Sequence, residues 1–372
     1  MASSEVVDIE TQMLNALELL HYSYRFRNSC FALAFLPETS IEELELDLRL
    51  LQAARIKTFL MCTKQSSPRS LLRAYNARWS NFVSLKKDGA DLAIALERAL
   101  SDGKTPLITL ENGIDPHALL EHGEIFELAG KFKVDKLFLV SAFEGLVVDG
   151  KFRSHLTLAE LEIILQERRQ FNLSTELLAS IARQAKGISA EVVMLCAKPG
   201  SLYEEIFTHQ GKGTLLTSDY PNELRAAELS DAHEIALLMR PYIRSGAVLP
   251  LDEDHIAAEI GNYSLHTVNQ QIVAIAKLSE YGEAAEIGKI VTLPRYQGQG
   301  RARELINLLI ATARKQHKKY VFSLSINPTM WSMYNQLGFQ EVQREILPQS
   351  WKAAYDFNRP SRAFVKELLP RI

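Results

Sequence analysis

Cysteine is scarce: Cys30, Cys62 and Cys196 are the only three in 372 residues, with no C-x-x-C pair and no histidine at metal-ligand spacing. That excludes a disulfide framework and a metal module of the usual spacing, so the three are expected to be buried, reduced thiols and no metal is expected. Long apolar runs are absent as well. Nothing approaches the roughly 18–20 residues of a membrane helix. Charge of one sign is missing too, since 42 Lys and Arg against 45 Asp and Glu leave a net charge of −3. Phosphate backbones are held by a clustered basic footprint, so this balance argues against a nucleic-acid partner. The opening residues, MASSEVVDIE, have neither the basic start and apolar stretch of a signal peptide nor the arginine-rich helix of a transit peptide. The expectation is a cytoplasmic protein without a membrane partner. Repeats and low-complexity tracts are also lacking.

What is present suits a globular protein: 47% hydrophobic and 23% charged residues. At about 100–200 residues per domain the length implies two domains. In the first half, Phe31–Leu36, Thr58–Cys62, Leu107–Leu110, Lys136–Val140 and Val192–Cys196 are apolar runs that predict strands. Amphipathic stretches at Glu42–Ala54 and Leu92–Leu100 lie between them, and such alternation predicts helices covering a mostly parallel sheet. Thr217–Glu223 gathers turn formers and reads as a linker. Beyond it the pattern predicts a helix from about Asp231 to Ile243, paired strands at Ser264–Val268 and Ile272–Leu278 joined through Asn269–Gln271, a strand at Glu286–Thr292, a glycine loop, and a helix to about His317.

The most informative segment runs from Ile290 to Lys315. A strand ends in a loop with two glycines and passes directly into a helix, which leaves unpaired N–H groups at a positive helix end, a natural cradle for pyrophosphate. A lone G-x-G is also what a tight turn looks like. Here Gln297-Gly298-Gln299-Gly300-Arg301-Ala302 fits Q/R-x-x-G-x-G/A, with Pro294 and Tyr296 ahead of it. Asn327 and Tyr334, followed by Gly338-Phe339, make N-x6-Y-x3-GF downstream. Both elements resemble the GNAT acetyltransferase superfamily, and the resemblance covers about Asn222 to Leu368. It implies an α+β fold that binds acetyl-CoA between two splayed central strands. Gln297, Gly298, Gln299, Gly300, Arg301, Ala302 and Asn327 would contact the co-substrate. Backbone amides of Ile290, Val291 and Thr292 would polarise the thioester carbonyl.

Acyl transfer to an amine needs a base for the attacking nitrogen and an acid for the departing thiolate. Glu286 opens the strand that leads into the loop, where the resemblance places a general base, although a solvated strand-end carboxylate near Glu283 would look the same in sequence. Tyr334 is the candidate acid; a core aromatic with a satisfied hydroxyl is the alternative.

The first half resembles the amino-acid-kinase family in its acetylglutamate kinase and N-acetylglutamate synthase branch. Glu204 to Leu215, EEIFTHQGKGTL, is similar to that family's E-[IL]-F-T-x-x-G-x-G-T, with weaker support from Tyr22 and Arg27 and from Asp149-Gly150-Lys151 followed by Leu156-Thr157-Leu158. This implies a three-layer α/β/α domain. The kinase groups are missing. Ala34-Phe35-Leu36-Pro37 stands where the family has K-x-G-G, and Cys62-Thr63-Lys64 replaces H-G-G. Only Glu144 is acidic near Ser141–Glu144, where an Asp is usual, and Glu176 replaces a nucleotide-binding lysine. Phosphoryl transfer relies on positive charge and backbone donors around the migrating group, so this domain is not expected to be a kinase.

A degenerate kinase-like domain over residues 1–220 followed by a GNAT domain over 221–372 is the layout of bacterial-type N-acetylglutamate synthase. The tail Tyr355-Asp356-Phe357-Asn358-Arg359-Pro360-Ser361-Arg362 resembles that family's final Y-N-x-Q-R-x-S-K. The resemblance implies that Arg359 and Ser361 bind substrate, and a guanidinium suits bidentate recognition of a carboxylate; a surface arginine is the alternative. It further implies acetyl transfer to the α-amino group of L-glutamate, the first step of arginine biosynthesis. L-arginine would be an allosteric ligand held by Glu205, Gly211, Gly213 and Tyr22, and the kinase-like domain would assemble a homo-oligomer. The same glycine motif also serves as a structural turn, with Gly211 and Gly213 supplying positive φ.

One departure weakens the substrate. After Gly246 the family carries arginines, whereas this chain has Ala247-Val248-Leu249-Pro250-Leu251-Asp252-Glu253. An acidic substrate would meet acidic residues there unless Arg244 or Lys277 compensates. The alternatives are a GNAT enzyme for another amino acid or a protein amine, gated by a ligand-sensing pseudokinase domain, and a non-catalytic sensor.

Overall fold

The computed structural model describes residues 16–36, 39, 41–63, 82–86, 92–110, 120, 123–208, 211–218, 222–268 and 271–368. The sequence expectations at Pro37, Lys64, His209, Gln210 and Asn269 lie outside these residues. The chain divides into two compact units, Met1–Asp219 and Tyr220–Ile372.

The first unit is built on β1 (Cys30–Phe35), β2 (Lys57–Thr63), β3 (Phe82–Lys86), β4 (Thr105–Leu110), β5 (Lys136–Ser141), β8 (His155–Thr157), β9 (Glu191–Cys196) and β10 (Thr214–Thr217), with a separate hairpin of β6 (Leu146–Val148) and β7 (Lys151–Arg153). The large sheet runs β3-β4-β2-β1-β5-β9-β10-β8, parallel from β3 to β9 and antiparallel at β9–β10. Its strands lack polar alternation because both faces are covered. Ala32, Ala34, Phe59 and Met61 pack into one core with helices Glu124–Lys131 and Thr175–Ala185. Phe31, Leu33, Phe35 and Leu60 pack into a second, with Leu48 and Leu51 of Glu45–Ala53 and Leu202 and Ile206 of Ser201–Phe207. The result is a three-layer α/β/α domain.

The helix expected over Glu42–Ala54 starts as a 3-10 turn at Ile41–Leu44 before Glu45–Ala53. Thr217–Glu223 is not a linker throughout: Thr217 ends β10 and a new strand begins at Asn222, each satisfied by ladder bonding. Cys62 and Cys196 are buried, but Cys30 is only half-buried. Burial pushes the thiols of Cys30 and Cys62 up to about 11.

The kinase-like motif is locked by two carboxylates. Buried Asp47 accepts hydrogen bonds from the amides of Gly200 (2.9 Å) and Tyr203 (3.3 Å), capping the Ser201–Phe207 helix across 153 positions of sequence. Glu205 of that helix accepts from the amides of Lys212 (2.8 Å) and Gly213 (2.9 Å). Tyr22 is buried in the same core as Leu202, Ile206 and Phe207 and stacks on Phe26 at 5.9 Å. Gly211 has φ +64, as expected, but Gly213 does not have positive φ. What Gly213 needs is space, since a Cβ there would sit 2.3 Å from the Met194 carbonyl oxygen.

The second unit is a seven-stranded sheet among the described residues. Its strands are β11 (Asn222–Ala226), β12 (Tyr263–Val268), β13 (Gln271–Tyr281), β14 (Ala284–Thr292), β15 (Tyr320–Ser325), β16 (Gln340–Val342) and β17 (Arg362–Glu367), in the order β11-β12-β13-β14-β15-β17-β16. All neighbours are antiparallel except β14 and β15. Ile235, Leu238 and Met239 of helix Ala232–Arg244 pack with Leu265, Ile275 and Val291. Leu305, Ile306 and Leu309 of helix Arg301–Lys315 pack with Ala274 and Ile287.

Gly213→Ala is expected to destabilise the chain by about 2–3 kcal/mol, because the obstructing atom is backbone and cannot rotate away. Denaturant unfolding reads this directly, and an unchanged midpoint would show that the loop adjusts instead.

Candidate functional site

The site begins where β14 and β15 part. They pair in register only over Ala284–Glu286 and Tyr320–Phe322. One residue further on, the Ser323 hydroxyl reaches the Ile287 carbonyl oxygen at 2.6 Å and the Tyr334 hydroxyl at 2.7 Å. On its other edge β14 bulges against β13. Ile275 pairs with Val291 and Lys277 with Gly288, so Lys289 and Ile290 oppose Ala276 alone, with Lys289 at φ +50. A bulge of this kind re-aims the side chains of the extra residues.

The gap opens into a cavity of about 690 Å³, ligand-sized. At one end lies the glycine loop. Gly298 and Gly300 have φ +77 and +82, and helix Arg301–Lys315 begins at Gly300 with no side-chain cap. A helix start of this kind favours an anion. Tyr242 donates its hydroxyl to the Thr292 carbonyl oxygen at 2.5 Å and accepts from Gln297 Nε2 at 2.8 Å, so the Gln297 amide braces the loop. Asn327 lines the cavity while its Oδ1 accepts from the Thr329 amide, capping helix Pro328–Gln336.

Glu286 and Tyr334 line this one cavity. Burial pushes the Glu286 carboxyl above its usual range, against the pull of Lys289, Lys277 and a hydrogen bond from Trp351. It is therefore not a solvated strand-end charge; Glu283, by contrast, is exposed and paired with Lys319. Tyr334 is buried among Phe339 and Phe364, and burial raises its hydroxyl far above the phenol range, keeping it protonated. Arg359 is half-buried. It lines the cavity and donates to the Gly246 carbonyl oxygen at 2.6 Å, while buried Ser361 shares a hydrogen bond with the Tyr355 hydroxyl.

Several expectations change. Gln299 turns its Oε1 to Arg301 at 3.1 Å and is not among the described residues that line the cavity, whereas Val291 turns its side chain into the core, which leaves the role expected of its backbone amide untouched. The acidic pair after Gly246 is spent elsewhere: Asp252 caps helix Glu253–Ala258 and meets His255, and Glu253 meets His233. The cavity receives Ala247, Val248 and Leu249 instead. Of the two compensating cations, Lys277 lines the cavity, its Nζ 2.6 Å from Glu259, and Arg244 does not. Lys289 was missed. It lines the cavity, donates to the Leu249 carbonyl oxygen at 3.3 Å, and is held below the usual lysine range by burial and by Lys277. Only the bulge brings it there, and Gly288-Lys289 carries no motif that announces it.

Among the described residues, five basic side chains, Lys277, Lys289, Arg301, Arg303 and Arg359, line the cavity with the single carboxylate Glu286. Low-dielectric walls lined mostly by one sign of charge concentrate a ligand of the opposite sign.

Residues 230–339 match the acetyltransferase (GNAT) family. The second unit thus resembles the GNAT family in sequence over these residues. The amino-acid acetyltransferase of Azotobacter vinelandii is 30% identical over 259 residues, 66% of this chain and 59% of that protein, and that of Pseudomonas paraeruginosa is 29% identical over the same shares. The chain spans about 59% of the length of these curated relatives. The crystal structure of N-acetylglutamate synthase from Neisseria gonorrhoeae, complexed with coenzyme A and L-arginine, covers 94% of this chain and 98% of its own at a TM-score of 0.56 and 19% identity. The chain therefore has the fold of the N-acetylglutamate synthase type, an amino-acid-kinase-like unit followed by a GNAT unit.

Tyr242→Phe removes a hydroxyl that serves both as donor and as acceptor, and is expected to cost about 1–2 kcal/mol of stability. Equilibrium unfolding in urea measures this, and wild-type stability in the variant would mean that Gln297 and Thr292 need no bridge.

Proposed function

We propose that the chain transfers the acetyl group of acetyl-CoA to the α-amino group of L-glutamate. The observation that carries this reading is the cavity's charge: among the described residues, five cations around a single half-buried carboxylate suit a ligand pair with a diphosphate at one end and carboxylates at the other. The uncapped start of helix Arg301–Lys315 takes the diphosphate. Arg359 and Ser361 take one carboxylate, and Lys289 or Lys277 supplies the charge that the segment after Gly246 lacks.

In this reading Glu286 draws a proton from the substrate ammonium through water, and the amine nitrogen attacks the thioester carbonyl carbon. Backbone N–H groups of the bulged strand steady the oxygen as its charge develops. The C–S bond then breaks, the Tyr334 hydroxyl gives its proton to the departing thiolate, and the surplus proton left on the amide nitrogen passes through water to restore that hydroxyl. L-arginine regulates from the kinase-like unit, where Glu205, the Gly211–Gly213 loop and Tyr22 gather, and that unit assembles the homo-oligomer in the cytoplasm. The names of the relatives support the amino-acid acetylation, and the arginine in the gonococcal structure supports the regulation.

Thiol release with acetyl-CoA and a panel of amino acids tests the substrate. Glutamate should be turned over, and Arg359→Ala should raise its KM by about a hundredfold; turnover of another amine but not of glutamate defeats the assignment. Glu286→Gln should lower kcat by about a hundredfold or more. Since the carboxyl is active only when ionised and burial raises its pKa, the acidic limb of the wild-type profile should lie above the ordinary carboxylate range. A limb at the ordinary position would remove Glu286 as the base. Millimolar arginine should lower the wild-type rate, and an unaltered rate rejects regulation.

A further inference from the structure

Beneath the glycine loop lies a histidine that the proposed chemistry does not use. His266, on β12, is 2% exposed, and its ring meets the first turn of helix Arg301–Lys315 twice. Nε2 is 2.8 Å from Glu304 Oε2, and Nδ1 is 3.4 Å from Arg301 Nη1. A guanidinium can only donate and an ionised carboxylate can only accept. The two partners therefore assign the ring: Nδ1 carries no proton, and Nε2–H donates to Glu304.

Arg301 passes this restraint to the loop. It is 8% exposed, donates from Nη2 to Gln299 Oε1 at 3.1 Å, and lies 5.1 Å above the Tyr296 ring. Its contacts fall on both sides of Gly298, and Gly298 and Gly300 give the segment two points of high backbone freedom. Left to themselves such residues sample many conformations, whereas an anion cradle works only when its donors are already in place.

We propose that His266 is a positioning residue for the phosphate subsite: its bare Nδ1 holds Arg301, and Arg301 holds the Tyr296–Gly300 loop in the shape that presents the helix start to a diphosphate. This rests on the acyl-CoA reading and deepens it. Protonation of the ring would remove the acceptor and place a second cation against Arg301. Among the described residues the charged groups facing the ring are Glu304, which favours its protonation, and Arg301, which opposes it. Burial is the dominant effect and keeps the ring below the usual histidine range. The neutral ring is thus present above that lowered value, and the hold on Arg301 weakens as pH falls through it.

Calorimetric titration of the full chain with CoA, together with steady-state kinetics, tests this. His266→Leu should weaken CoA binding about tenfold and leave the amino-acid KM within about twofold. His266→Asn places Oδ1 close to where Nδ1 lies and does not titrate, so it should bind within about threefold of wild type. Between pH about 7.5 and about 5 the wild type should lose CoA affinity relative to the Asn variant. Wild-type affinity in the Leu variant overturns the inference, as does an equal loss for both substrates. If the Leu variant does not fold, the pH comparison decides, and parallel courses for wild type and the Asn variant count against it. A wild-type chain that binds no CoA at all removes the acyl-CoA reading itself, a different result from a variant that binds as well as wild type.

Discussion

Everything in the candidate site depends on two parallel strands that stop pairing. β14 and β15 share three residue pairs and then separate, and inside a sheet such a break would orphan backbone groups. Ser323 eases it by placing its hydroxyl on the Ile287 carbonyl at the fork. The bulge at Lys289 and Ile290 does the same work on the other edge, keeping β14 bonded to β13 while its direction changes. The open wedge is thus a property of the backbone, and the side chains of Glu286, Lys289 and Tyr334 inherit their positions from it.

This origin explains why the groups around the cavity behave as a set. Glu286 and Lys289 are displaced in opposite directions from their ordinary pKa values, and burial is the leading cause for both. Each makes the other's charge less costly, as expected of opposite charges with little water between them. Residues far apart in the chain close the set. Arg359 binds the carbonyl of Gly246, 113 positions away, which fixes the segment that brings Val248 and Leu249 into the cavity. The arginine that resemblance assigns to a substrate carboxylate therefore also shapes the wall it belongs to.

The sequence made the fold class legible because apolar runs and glycine-loop motifs are local. The five long strands of the first unit lie within a residue or two of the apolar runs, whereas β6, β7 and β8 have three residues each, too few for a period to register. Signals for them existed nonetheless. Asp149-Gly150 at φ +49 and +75 is the two-residue turn of β6–β7, and Thr157 with Glu160 forms a capping box. Around the cavity, Gly300, Tyr334 and Arg359 stand in spaced motifs and Glu286 on the strand that leads into one, so the sequence pointed to all four. Lys289 and His266 were not legible, because a bulge brings the first into place and a helix start 35 positions further on meets the second, and neither leaves a pattern in one sequence. Asp252 and Glu253 misled for the converse reason: their charges were visible, but the helix start and the two histidines that consume them were not.

The same distinction bears on the kinase-like unit. Its most specific motif could persist for a ligand or for the fold, and the geometry shows a large structural share. Asp47 holds the Ser201–Phe207 helix by its amides, Glu205 of that helix holds the amides of Lys212 and Gly213, and Gly213 passes against the Met194 carbonyl where no Cβ fits. A carboxylate has about four acceptor positions, so accepting two amides does not exhaust Glu205 as a partner for a guanidinium. It does mean that the residue expected to recognise arginine is also what keeps the recognising loop folded. Binding and folding are then coupled through one side chain, and a ligand that engaged Glu205 would act on the Gly211–Gly213 loop and on β10, which the loop feeds. A regulatory domain needs such an element, and the phosphate-binding groups of a kinase contribute nothing to it.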